Sequence, residues 1–194
     1  SKKENQLIKN PYFKSLNNQE NLSFILKVCA KLKIKKKIIF KVVNNFKALN
    51  FRQQIIYESK NLRIINDSKS TSFSSSVNLL NNLNNLFWIC GGLPKKGDKL
   101  KLGNKKNIRK IYLFGKYKNF FINFFKNKYR YSKFNSLDSV IKQVSKDIDR
   151  EKKIKKVNLL FSPCAASFDS FKNFEDRGKY FNYLVNKYKI KNVI

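Results

Sequence analysis

Apolar positions fall into two regimes along the 194-residue chain. Before about residue 50 they recur at helical spacing. Leu22, Ile25, Leu26, Cys29 and Leu32 lie at i, i+3, i+4, i+7 and i+10, one stripe of a 3.6-residue period, which predicts a helix over 18–33. A second helix is expected over 36–46. From about Arg63 the pattern changes to short apolar runs alternating with helical segments. Strands are expected over 62–65, 86–90, 111–114, 129–134 and 157–161, and helices over 73–84, 117–127, 136–150 and 170–188. In helix 136–150 the inward face is Val140, Ile141, Val144 and Ile148; in the last helix it is Phe174, Phe181, Leu184, Val185 and Tyr188. Strand and helix alternating at this spacing is the pattern of βαβ units. The expected fold is α/β: a Rossmann-like, mostly parallel sheet with helices on both faces, preceded by a short helical segment.

Sheets of that kind bind ligands beyond the carboxyl ends of their strands, which directs attention to three loops. After the first strand comes Asn66-Asp67-Ser68-Lys69-Ser70-Thr71-Ser72. It gathers hydrogen-bonding groups and one cation just before a helix, where free N–H groups and the dipole favour phosphate or carboxylate. The same residues also make a locally capped turn with no ligand at all. After the second strand comes Gly91-Gly92-Leu93-Pro94-Lys95-Lys96-Gly97-Asp98. The paired glycines allow close backbone approach and Lys95 can present a point charge, although a glycine-closed strand is common in any α/β fold. The third loop, Ser162-Pro163-Cys164-Ala165-Ala166-Ser167-Phe168-Asp169, puts small residues and a serine ahead of a helix, and its plain reading is a tight connection capped by Ser167 or Asp169. Residues 92–107 are the expected mobile segment.

Composition narrows the classes. The net charge of +31 suggests a polyanion partner, but only six of the 43 basic residues are Arg, the residue that nucleic-acid readers favour for bidentate contacts. The lysines run along the whole chain, as an AT-rich genome would produce. No apolar run approaches the roughly 20 residues of a membrane helix. Ser1–Asn5 carry no signal-type segment. There is no methionine, which suggests a processed chain or a piece of a longer one. With no histidine and three distant cysteines, a zinc site or a Ser–His or Cys–His hydrolase is excluded within the chain. Cys29 and Cys90 lie in apolar runs and read as buried thiols, which points to the cytoplasm.

In that order, NDSKST at 66–71, GGLPKKGD at 91–98 and SPCAASFDSFKNFEDRG at 162–178 resemble the three C-terminal motifs of the Mur ligase family, in the form carried by its D-glutamate-adding members. Upstream, residues 17–21 resemble the family's HNxxN helix start, with Asn17 where His is usual. Leu49-Asn50-Phe51-Arg52 resembles its LPHR turn, with Phe51 where His is usual. The likeness covers about 15–188. It implies that ATP phosphorylates the carboxylate of UDP-N-acetylmuramoyl-L-alanine and that the amine of D-glutamate attacks the acyl phosphate, giving a tetrahedral intermediate that expels phosphate. By that resemblance Lys69, Thr71, Lys95, Ser167 and Phe174 hold the D-glutamate carboxylates, Phe174 through its backbone N–H, and Phe168 shapes the pocket wall. Asn21 meets the adenine of ATP, Arg52 its phosphates and Asp67 its ribose.

The resemblance assigns no catalytic residue and no metal ligand to this chain. The phosphate loop, the Mg2+ ligands and the UDP-binding domain belong to the family's earlier domains. Residues 1–48 then correspond to the end of the central ATP-binding domain and 49–194 to the C-terminal, glutamate-binding domain. The chain alone is expected to be an inactive monomer with no nucleic-acid or membrane partner. Rival readings are a related ATP-dependent ligase for another acidic amino acid, a basic nucleic-acid-binding module, and a decayed homologue with a scaffolding role. Nucleic-acid binding that persists at about 0.2 M salt would favour the module, and turnover with L-glutamate the other ligase.

Overall fold

The computed structural model describes residues 8–14, 16–103, 107–151 and 154–193. Ser1–Asn5, the side chain of Asn17 and residues 104–106 of the loop expected to be mobile lie outside them. The chain forms two compact units, one up to Leu49 and one from Asn50 onward.

The first unit is a 3-10 turn at Pro11–Lys14 followed by helices α1 (Leu16–Lys31) and α2 (Lys36–Asn45). Phe13, Leu22, Ile39 and Val43 form its buried centre, with Leu26 and Cys29 at the margin. The side-chain amide of Asn10 donates to the carbonyls of Val43 (2.9 Å) and Phe46 (2.8 Å). The apolar stripe expected along α1 is only partly covered. Ile25 is 44% exposed and Leu32 67%, because one further helix and a turn mask a single flank of α1. Cys29 is correspondingly half-buried rather than buried.

The second unit is built on six strands: β1 (Gln54–Glu58), β2 (Leu62–Asn66), β3 (Leu86–Gly91), β4 (Ile108–Phe114), β5 (Tyr131–Lys133) and β6 (Val157–Phe161). They stand in the order β1-β2-β6-β3-β4-β5, parallel throughout except for β1 against β2. Helices α3 (Val77–Asn82), α4 (Lys118–Phe125), α5 (Leu137–Asp149) and α6 (Phe174–Lys187) cover the two faces. Successive side chains of a strand point to opposite faces. Phe87 and Ile89 accordingly pack with Tyr112, Leu159 and Phe161 under α5 and α6, while Leu86, Trp88 and Cys90 pack with Ile111, Leu113 and Leu160 under α3 and α4. On α5 the expected Val140, Ile141, Val144 and Ile148 are fully buried, and Ser136 caps the helix by accepting from the Ser139 N–H at 3.2 Å.

The sequence pattern did not reveal β1. Its apolar run is only Ile55–Tyr57, bounded by Gln54 and Glu58, and a bulge between Ile55 and Tyr57 spoils the alternation. The expected helix over 73–84 shortens to α3, because Phe73–Ser76 form a turn that buries Phe73 and Ser76 and leaves Ser74 and Ser75 exposed. The last helix begins at Phe174 rather than 170: the Asn173 side chain accepts from the Asp176 N–H at 2.7 Å and caps it there.

Candidate functional site

Strands β2, β6 and β3 are immediate neighbours and parallel, so the loops after them leave the sheet side by side. Backbone bonds join them. The Asp67 N–H donates to the Phe161 carbonyl (2.7 Å), the Gly91 N–H to Pro163 (3.1 Å), and Leu93 and Ala166 exchange two bonds of 2.9 Å. The Phe73 N–H donates to Asp98 Oδ2 at 2.6 Å, fastening the far part of the β3 loop to the β2 loop.

Beneath the loops lies Arg177, fully buried on the inner side of α6. Its Nε donates to Ser68 Oγ (3.1 Å), and its Nη2 to the carbonyls of Ser68 (2.7 Å) and Ala165 (3.0 Å). Burial pulls its pKa down to about 10, opposed mainly by the carboxylate of Asp169, so it remains a cation at neutral pH. Ser68 Oγ in turn donates to the Phe174 carbonyl at 2.8 Å. Asn66 ties the end of β2 to α6 through Gly178 O (2.9 Å) and Asn182 Oδ1 (2.8 Å).

Asp67 is buried too. It accepts from the Gln53 N–H at 3.0 Å and from Ser162 Oγ at 2.9 Å. Desolvation pushes its carboxyl up to about 7, against these two hydrogen bonds and the fields of Arg177 and Arg52. From Ser162 a chain of hydroxyls continues through Ser76 (2.6 Å) to Ser70 and Ser75. Cys164, at φ +55°, donates its thiol to Ser76 Oγ at 3.2 Å. Cys90 donates to the Pro163 carbonyl at 3.3 Å, and burial pushes its thiol well above the usual range. Both thiols are packing groups.

The groups expected to hold an acidic amino acid sit on top of this framework. Lys69 Nζ lies 4.0 Å from the centre of the Phe174 ring, at the amino end of α6. Phe174 therefore carries a cation instead of filling the core. Ser167 is buried two residues after the Ala165 carbonyl that Arg177 holds. Lys95 and Thr71 are exposed at the rims of their loops. Among the described residues, the ammonium groups of Lys69 and Lys95 and the hydroxyls of Thr71 and Ser167 have no hydrogen-bond or ion-pair partner. Phe168, 71% exposed, stands clear of the packed loops. Arg52 is exposed next to the Gln53–Asp67 bond, so these two predicted nucleotide contacts are close in space. Asn21 is exposed on α1 in the first unit. Asp67 already braces its own loop with both oxygens. Among the described residues no three His, Cys, Asp or Glu side chains gather as a metal cage.

Phe51, in the place of a usual His, is buried at φ +61°. Its carbonyl accepts the Lys69 N–H at 2.9 Å. Its ring rests on Gly178, where an added Cβ would come within 2.3 Å of Phe51 Cδ1. Sequence reasoning assigned no part to Ser68, Ser76, Ser162 or Arg177. The one available signal was Arg177 itself: a cation four residues before Phe181 and seven before Leu184, on the inward stripe of α6.

A mostly parallel sheet between two helical layers is the fold of the Mur ligase C-terminal domain. Two solved structures share it. The MurF ligase of Thermotoga maritima, crystallised with ADP, superposes with a TM-score of 0.53 and 17% identity over 88% of this chain and 39% of its own. MurF of Acinetobacter baumannii gives 0.51 and 10% over 86% and 36%. No family model matches the chain. Sequence relatives are more specific, and three of them are UDP-N-acetylmuramoylalanine–D-glutamate ligases. That of Rickettsia conorii is 30% identical over 187 residues, that of Wolbachia pipientis wMel 32% over 167, and that of Bartonella henselae 34% over 173. These matches take in 95%, 86% and 89% of this chain, but it spans only 37%, 32% and 37% of the relatives' lengths. Along most of its length the chain is thus similar to one part of the D-glutamate-adding Mur ligases.

Proposed function

We propose that this chain supplies the D-glutamate pocket and part of the ATP site of a ligase that joins D-glutamate to UDP-N-acetylmuramoyl-L-alanine in peptidoglycan synthesis. The observation that carries the reading is a set of groups on three adjoining loops, two ammoniums and two hydroxyls, that have no hydrogen-bond or ion-pair partner among the described residues, with the amino end of α6 beside Lys69. A dicarboxylic amino acid needs charge neutralisation at two points and oriented donors at each. Lys69 and Lys95 provide the charges, and Thr71, Ser167 and the first N–H groups of α6 the donors. Holding the amino acid in one orientation converts attack by its amine into a near-unimolecular step.

ATP supplies phosphoryl activation of the acceptor carboxylate. Arg52 is read as meeting its phosphates and Asp67 its ribose, and Asn21, in the first unit, as meeting its adenine, a reading supported by the resemblance of their motifs. Mg2+ ligands are proposed to lie in the family's other domains, as are the phosphate loop and the UDP site. Residues 1–48 are read as the end of the central domain and 49–194 as the amino-acid-binding domain, in a cytoplasmic enzyme. No helix among the described residues is long and apolar enough to cross a membrane.

The test is a chimera in which this chain replaces the matching region of the Rickettsia conorii ligase. Phosphate release should depend on D-glutamate and not on L-glutamate, and should fall at least about ten-fold with Lys69→Met. Equal use of L-glutamate, or indifference to Lys69, contradicts the proposal.

A further inference from the structure

Arg177 is a buried cation to which the pocket reading gives no role, although it touches every part of the pocket's framework. Towards the β2 loop it makes two bonds to Ser68, the neighbour of Lys69. Ser68 passes the constraint on to the Phe174 carbonyl, and the ring of Phe174 lies under Lys69 Nζ. Towards the β6 loop Arg177 holds Ala165 O, two residues before Ser167. The next residue, Ala166, is doubly bonded to Leu93, two residues before Lys95. Between them Gly92 leaves room for the guanidinium: a Cβ there would stand 3.0 Å from Nη1 and 2.5 Å from Ala166 O. The second glycine of the pair thus serves packing against Arg177. Nη1 itself and Asp169 Oδ2 are buried without hydrogen-bond partners among the described residues.

We propose that Arg177 is the positioning residue of the amino-acid pocket, a single guanidinium that sets the register of the loops carrying Lys69, Ser167 and Lys95. This rests on reading those loops as an acidic-amino-acid pocket. Arg177 does not touch the ligand. It acts through Ser68, Phe174 and Ala165, and its planar fork matters as much as its charge. Nε and Nη2 serve two loops at once, which the single ammonium of a lysine does not reproduce.

Amide hydrogen exchange on the 194-residue chain tests this without any ligand. In Arg177→Lys the amides of Lys69, Leu93 and Ala166 should exchange at least about ten-fold faster, while those of Ile89 and Leu160 in the sheet stay unchanged. Ser68→Ala removes the Oγ bonds to Arg177 Nε and to the Phe174 carbonyl and keeps the Nη2 bond to the Ser68 carbonyl; it should loosen Lys69 partially and leave Leu93 and Ala166 as they were. It carries the test alone should Arg177→Lys fail to fold. Uniform acceleration across sheet and loops, or loop amides that do not respond, overturns the proposal. A parallel titration with D-glutamate should show a dissociation constant raised at least about ten-fold by Arg177→Lys. If the unmodified chain does not bind D-glutamate, the pocket reading falls, while the exchange pattern still decides on Arg177.

Discussion

Asp67 and the two lysines of the proposed pocket show what single side chains contribute. Burial raises the Asp67 carboxyl from 3.8 to about 7. An acid whose folded pKa lies above its unfolded value holds its proton more tightly in the native state. Its contribution to stability is therefore present in full below about pH 4 and lost as the pH rises through about 7. Asp138 is held below the usual carboxylate range chiefly by Lys187, and Glu58 by Lys156 and Arg63, so their stability is lost only as the pH falls below about 4. Thermal melts should therefore show a decline between about pH 5 and 7 on the order of a few kcal/mol. Asp67→Asn should flatten it, and an unchanged slope in that variant would exclude Asp67 as the cause. Lys69→Met and Lys95→Met should each weaken D-glutamate binding at least about ten-fold, read by calorimetry, with little change in melting temperature, because neither ammonium has a hydrogen-bond or ion-pair partner among the described residues. The lysines and hydroxyls were legible in the sequence because chemistry-bearing residues followed predicted strands. Arg177 and Ser68 were not, since an inward-facing cation acquires its partners only when three distant segments meet.

At the scale of elements, α6 and the turn at Phe51 are fitted to each other with no slack. Gly178→Ala would place a methyl group within 2.3 Å of the Phe51 ring. It should cost about 1–3 kcal/mol in a denaturant titration, and Phe51→Ala in the same chain should relieve the clash. A Gly178→Ala variant as stable as the parent would show that the turn is free to move. The central parallel strands β2, β3 and β6 were readable because both their faces are buried and each carries a short apolar run. The edge strand β1 was not, because none of its five residues is fully buried and a bulge interrupts its period. The stripe on α1 had the right helix but overstated its burial, since periodicity shows which face is apolar and not whether anything covers it.

For the molecule as a whole, the +31 charge and the strand-end loops point in different directions. The lysines are dispersed, whereas Lys69, Thr71, Lys95 and Ser167 lie on adjoining loops at one end of the sheet. Any nucleic-acid binding should accordingly be non-specific and collapse between about 50 and 200 mM salt in a gel-shift assay. The purified chain should neither hydrolyse ATP nor form the amide, and turnover would refute the division of labour proposed for it. The most direct test is residue-resolved: titrating D-glutamate into the isotopically labelled chain and following its amide resonances. Lys69, Ser167 and Phe174 should shift together along one saturation curve that L-glutamate does not reproduce. Shifts confined to other surfaces, or identical responses to both enantiomers, would contradict a D-glutamate pocket at these strand ends.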